Sequence, residues 1–169
     1  MSITDTDLDT AYTVAYLDSR FAFDQPGNRW VVSALDDPTT IDALDYANAE
    51  YYEDGLLRVF SLNQQLHLFC ERSSEDWYTS GTGRPPLDRQ RVREYGIAGR
   101  YAADSIDDRV YFIDHNRRPA FLIGSQYQSI YAPSLGAEWD SYGSSSMSTA
   151  RVQAYSLRQE NIVDFIFPD

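Results

Sequence analysis

The chain contains no lysine. All 14 of its basic side chains are arginine, set against 19 Asp and 7 Glu, for a formal net charge of −12 over 169 residues. A balance this acidic excludes nucleic-acid binding by phosphate neutralisation, because there is no basic surplus to displace counterions. It also sets the chain against an anionic membrane surface. Cysteine is nearly absent: the single Cys70 rules out an internal disulfide and a Cys-rich zinc site. Histidine is almost as scarce, with His67 and His115 alone. No apolar run approaches the roughly 20 residues of a membrane-spanning helix. The opening Met1-Ser2-Ile3-Thr4-Asp5 lacks the basic and apolar regions of a secretory signal.

What remains is ordinary globular stock, 43% hydrophobic and 24% charged, of a length that predicts one β-rich domain over residues 1–169. Aromatics reach 14%, with 13 Tyr, 8 Phe and 3 Trp, a bias toward strands. Short runs rich in Val, Ile, Tyr and Phe, bounded by Gly, Asn, Asp and Pro, predict strands at Thr10–Leu17, Trp30–Leu35, Leu56–Phe60, Leu66–Cys70, Asp76–Thr79, Ile97–Ala103, Arg109–Ile113, Ala120–Ile123, Tyr127–Tyr131, Ala150–Ser156 and Ile162–Phe167. One helical candidate, Thr39–Ala49, has Ile41, Leu44 and Ala47 on one face, but its second half also alternates like a strand.

Sliding the chain against itself gives an internal match at an offset of 53, from Leu57 to Val110. At that step Val59 meets Phe112, Asn63 meets Asn116, Leu68 meets Phe121 and Trp77 meets Ile130. A further step reaches Val163, Phe165 and Ile166. A period of roughly 40 to 50 residues carrying about four strands is the signature of propeller blades. The fold class expected is therefore all-β, with antiparallel meanders in about three propeller-type blades. The repeats fall near residues 45–80 and 97–133, with a partial one at 150–169. An unfinished last blade would leave strand edges exposed. Tyr12, Val14, Tyr16, Ile162, Val163 and Phe165 are the candidate assembly edges. Either the Thr10–Leu17 strand closes that blade, or the chain is part of a larger propeller. The polar loops Pro38–Asp42, Gly81–Asp88 and Ser134–Ser146 are the expected contacts to neighbouring subunits.

The search for chemistry ends with no catalytic, metal or cofactor residues assigned. Asp5-Thr6-Asp7-Leu8-Asp9 opens like a calcium loop but continues with Thr10 and Tyr16 where Gly and Glu are required. His67 lies between Leu66 and Leu68, and His115 lies in a predicted turn with Asp114 and Asn116. Gly-x-Ser-x-Gly is absent, and Gly81-Thr82-Gly83-Arg84-Pro85-Pro86 lacks the lysine of a phosphate loop. Glu71, Glu75 and Asp76, with Trp77, Tyr78 and Trp139 as stacking surfaces, suggest an alternative, a carbohydrate-binding or glycoside-cleaving β domain. With 26 acids in 169 residues, adjacent carboxylates also arise by chance.

Four stretches carry a family resemblance. They are Asp42–Glu50 with Glu53-Asp54-Gly55, Leu68–Tyr78, Gly96-Ile97-Ala98-Gly99-Arg100-Tyr101, and Ile162–Pro168. Together they resemble the packaged-DNA-stabilisation proteins of short-tailed bacteriophages, over roughly Tyr16 to Pro168. Cys70 stands where that family usually has a small residue. The resemblance implies a β-propeller core and a ring, six copies in this family, that sits below the portal as a tail accessory or head-completion factor. It implies a non-enzymatic role in sealing the packaged genome and later releasing it. The implied partners are copies of the chain, the portal, other tail proteins and passing double-stranded DNA without sequence-specific contacts. The implied location is the neck or tail of the virion, assembled in the bacterial cytoplasm. Family members extend further on both sides of the matching region, which leaves a fragment, a crystallised domain and a prophage remnant as the alternatives.

Overall fold

In the computed structural model, residues 3, 5–124, 126–130 and 133–167 are described. They form two compact units that meet in sequence at Glu94 and Tyr95. The first unit holds two four-stranded antiparallel sheets, each in chain order. One comprises β1 (Val14–Leu17), β2 (Arg20–Asp24), β3 (Arg29–Ala34) and β4 (Asp37–Asn48). The other comprises β5 (Leu56–Leu62), β6 (Gln65–Cys70), β7 (Ser74–Thr79) and β8 (Leu87–Arg93). The second unit holds a four-stranded sheet of β9 (Ala103–Ile106), β10 (Arg109–Ile113), β11 (Pro119–Ile123) and β12 (Gln126–Ser129). Two short helices follow, α1 (Pro133–Ser141) and α2 (Ser144–Thr149), and then the hairpin of β13 (Arg151–Leu157) and β14 (Glu160–Ile166).

The repeat is written most clearly in the turns. Asp18-Ser19, Asn63-Gln64 and Arg158-Gln159 each join the first two strands of a sheet with both residues at positive φ. That is the geometry of a two-residue hairpin whose twist matches its strands. Asp107, at φ 55°, opens the corresponding turn of the third sheet. The four turns begin at Asp18, Asn63, Asp107 and Arg158, steps of 45, 44 and 51 residues. The 53-residue offset expected from the sequence is out of frame by one strand in its first step. It equates Asn63, between a first and second strand, with Asn116, between a second and third. Alternating apolar strands match almost as well one strand out of place, because the side-chain period of two is common to all of them.

Burial explains why sheets stack within each unit. In β1, Ala15 and Leu17 are buried while Val14 and Tyr16 are exposed. The buried pair joins Ala22, Trp30, Val32, Leu56, Val59, Leu66, Leu68 and Trp77 in one core that both sheets share. Trp30 meets Trp77 edge to face, with ring centroids 5.0 Å apart. Each fully buried Leu or Val contributes about 1.5–3 kcal/mol relative to exposure. A polar relay reinforces the seam. The buried Asp24 carboxylate accepts the Tyr12 and Thr13 amides at 2.9 and 2.6 Å, and the Thr13 hydroxyl accepts the Val59 amide at 3.0 Å. In the second unit, Asp104 of β9 plays the same part, accepting the Ala154 amide of β13 at 2.8 Å.

Several local expectations are corrected. Thr39–Ala49 is not a helix; all of it but Ala49 lies in β4, whose register against β3 shifts between Val31 and Ser33. Pro38–Asp42, expected as a loop, is therefore strand. Ile97–Ala103 makes only an isolated bridge from Ile97 to Asp114, and its sheet strand starts at Ala103. The Gly81–Asp88 loop ends early because Leu87 is buried and opens β8. Ser134–Ser146 is largely helical: Met147 of α2 is buried, and Trp139 of α1 packs against Phe165 and Phe167. Strand β8 escapes the sequence pattern because Asp and Arg interrupt its apolar alternation, and β2 because only Phe21-Ala22-Phe23 lies between Arg20 and Asp24. Tyr131, expected in a strand, lies outside the described residues.

Gly99 has no room for a side chain. A β-carbon there would lie 2.3 Å from the Ser148 carbonyl oxygen and 2.7 Å from its carbon, both in backbone that cannot swing aside. We expect Gly99→Ala to cost about 2 kcal/mol or more, a fall of roughly 4–8 °C in the thermal midpoint. An unchanged melting curve would contradict this close approach.

Candidate functional site

The edge residues expected from sequence divide into two kinds. Tyr12, Val14 and Tyr16 are 51, 57 and 54% exposed, and β1 is hydrogen-bonded to β2. Tyr16 leans on Phe21 with ring centroids 5.1 Å apart. Val163 and Phe165 are half-buried and turn inward, packing with Ile113, Met147 and Val152. Ile162 is half-buried and pairs across the hairpin with Tyr155 on the opposite face.

Strand β7 carries the densest concentration of buried charge. Glu75 and Asp76 are 1 and 2% exposed. As neighbours on one strand they point to opposite faces of the sheet. The Asp76 carboxylate lies 2.7 Å from Nδ1 of His67, its cross-strand partner on β6, and also holds the Arg93 guanidinium of β8. Burial by itself pushes the Asp76 carboxyl up, but the hydrogen bonds and charges of His67 and Arg93 outweigh it and hold the group below the ordinary 3.8. Glu75 accepts the Trp77 indole N–H at 2.9 Å and the Tyr51 amide at 3.1 Å, with the Arg89 guanidinium 3.5 Å away. Both carboxylates are thus committed to internal partners on opposite sides of the sheet, which does not suit a pair of glycosidase carboxylates flanking one sugar. Glu71 is exposed.

The sugar-stacking aromatics do not converge either. Trp77 and Tyr78 face opposite sides of β7. Trp139 belongs to the second unit, where its indole N–H donates to the Arg117 carbonyl. The first unit does contain a cleft of about 560 Å³, lined by Leu44, Tyr46, Ala47 and Asn48 of β4, by Glu50, by Trp77 and Arg89, and by Arg84. Of these, the sequence reading names only Trp77 as a candidate. The others are brought together from two sheets and from stretches 30 to 40 residues apart, a distance no local motif spans.

The remaining singular residues have structural work. His115 accepts the Gly96 amide at 3.4 Å through Nδ1, and Asp114 accepts the Arg118 amide and the Tyr127 hydroxyl at 2.8 Å each. Asp5 of the acidic start accepts the Asp7 and Ile41 amides, which hold its carboxyl below the ordinary value. Among the described residues no cluster of three or more His, Cys, Asp or Glu gathers as a metal would require. No described helix is long and apolar enough to cross a membrane.

Compared with known proteins, the chain matches the family model described as "Bacteriophage P22 Gp10, beta-propeller" over residues 1–167. No curated protein matches it.

Two measurements follow from the buried groups. Because the native pKa of Asp76 is depressed, its stabilisation is present above 3.8 and is lost as pH falls through the lower native value. Asp76→Asn should cost about 3–5 kcal/mol at pH 7, since it removes the buried carboxylate that Arg93 and His67 share. It should also flatten the acid limb of urea midpoints measured below that pH; a wild-type acid limb would sink the assignment. Burial first, then the nearby Asp54 and Glu75 charges, push the Cys70 thiol up to about 12. Native protein should leave Cys70 unmodified by a disulfide reagent at pH 8, with full reaction in denaturant. Rapid native labelling would contradict its burial.

Proposed function

The chain belongs to the bacteriophage P22 Gp10 β-propeller family, a family of packaged-DNA-stabilisation proteins, and from that premise we propose that it is a non-enzymatic part of the tail hub below the portal. There it helps retain the packaged genome and lines the channel through which DNA leaves. The observation that carries this reading is the match across residues 1–167, which takes in both compact units and not one shared motif. The partners are copies of the same chain in a ring of six, the portal and other tail proteins, in the neck or tail of a virion assembled in the bacterial cytoplasm.

Charge and architecture support the reading. Double-stranded DNA sliding through a channel must not be held by phosphate contacts, and an acidic wall repels it. Acidity is concentrated rather than spread. Residues 1–50 carry ten acids (nine Asp and Glu50) against Arg20 and Arg29, a net −8, whereas residues 51–94 carry seven acids against six Arg, a net −1. The first 50 residues are therefore the part best suited to face the genome. Catalysis plays no part in this function, and the carboxylates of β7 are engaged in holding strands together.

Native mass spectrometry of the purified chain, alone and mixed with a portal assembly in physiological salt, tests the proposal. A closed ring, or stable addition to the portal, is the expected result. A strict monomer that ignores the portal would overturn it.

A further inference from the structure

We propose that the cleft between β4 and β7–β8 is a carbohydrate-binding site, one that holds a neutral oligosaccharide without cleaving it. The proposal stands apart from the tail-hub reading. It rests on the complementary chemistry of the lining. Arg84 and Arg89 offer only donors, Glu50 offers only acceptors, and Asn48 offers both. Leu44, Tyr46 and Trp77 supply an aliphatic and aromatic wall. Closely spaced hydroxyls, which donate and accept, around an apolar face of C–H bonds satisfy all three needs. A pyranose ring has that constitution. At about 560 Å³ the cleft is within the range of small-molecule sites.

Two features fix these groups in advance. Arg89 is anchored from below by the buried Glu75 carboxylate at 3.5 Å, and its guanidinium lies 5.8 Å from the Tyr51 ring centroid and 6.0 Å from that of Trp77. Its side chain nevertheless remains 38% exposed, so donors are left for a ligand. Arg29 stacks over the Tyr46 ring at 4.2 Å, while Tyr46 stays 40% exposed. Arg84 is set by Asp42 at 3.0 Å. Groups held before binding lose little conformational freedom when the ligand arrives. Cleavage is absent from the proposal because Glu50 is the one carboxylate in the lining, and a glycosidase uses two.

The test is titration of the full chain with a panel of soluble probes: maltohexaose, cellohexaose, chitohexaose and a galactose oligomer, each to 10 mM. Binding is read by tryptophan fluorescence and by ligand-observed saturation-transfer NMR. At least one probe should bind, with no shorter products by mass spectrometry. Tyr46→Ala should weaken that probe roughly tenfold, the size of one aromatic contact, and Glu50→Gln should weaken it measurably. Tyr155→Ala, on an exposed face of the other unit, should leave binding unchanged. Circular dichroism of each variant separates a lost ligand from a lost fold. Binding of no probe would overturn the proposal, as would affinity indifferent to both cleft variants. So would capture of an extended acidic peptide in place of every sugar, which would assign the cleft to a protein partner. None of these outcomes bears on ring formation or portal binding.

Discussion

Carboxylates that accept backbone amides are the interaction on which this structure depends. Asp24 catches Tyr12 and Thr13, Asp54 catches Arg72 and Ser73, Asp104 catches Ala154, and Asp114 catches Arg118. Each satisfies amides at a turn or between sheets, where no ladder partner exists and a buried unpaired amide would cost about 1–3 kcal/mol. Short strands joined by tight turns leave many such amides. A chain with 19 Asp and no Lys has acceptors to spare for them. The chain's acidity thus helps to hold the sheets in place.

The same economy bears on function. On β7, Glu75 and Asp76 are buried back to back and bind Trp77, Tyr51, His67, Arg89 and Arg93. Carboxylates so engaged stitch three strands of one sheet together. A protein of a virion structural family gains from rigid sheets, and these residues supply that rigidity. The exposed aromatics and arginines around the β4–β8 cleft are of another kind. They are held in position yet left accessible, which is why they carry a separate binding inference.

Much of this was legible in the sequence, and the failures have physical causes. The all-β class followed from aromatic and β-branched runs between turn residues, and the family from four stretches whose apolar, acidic and aromatic order recurs. The repeat frame was missed because it resides in the turns. Asp18-Ser19, Asn63-Gln64 and Arg158-Gln159 share a backbone conformation, and Asp107 shares the positive φ of their first residue, but the four turns share little composition and no Asn-Gly or Asp-Gly pair announces them. Strand β8, Leu87–Arg93, was missed because an outer strand with Asp88, Arg89, Gln90 and Arg91 exposed has no apolar alternation to detect. Charged outer strands of this sort also resist edge-to-edge aggregation. The cleft was invisible because Tyr46 and Arg89 become neighbours only after two sheets stack.

On the proposed function, the chain keeps packaged DNA inside the head. The most direct measurement is the nuclease-protected genome in phage heads that lack the protein, with and without added purified chain. Restoration of full-length protected DNA is the predicted result. Heads that leak DNA equally in the presence and absence of the chain would contradict it.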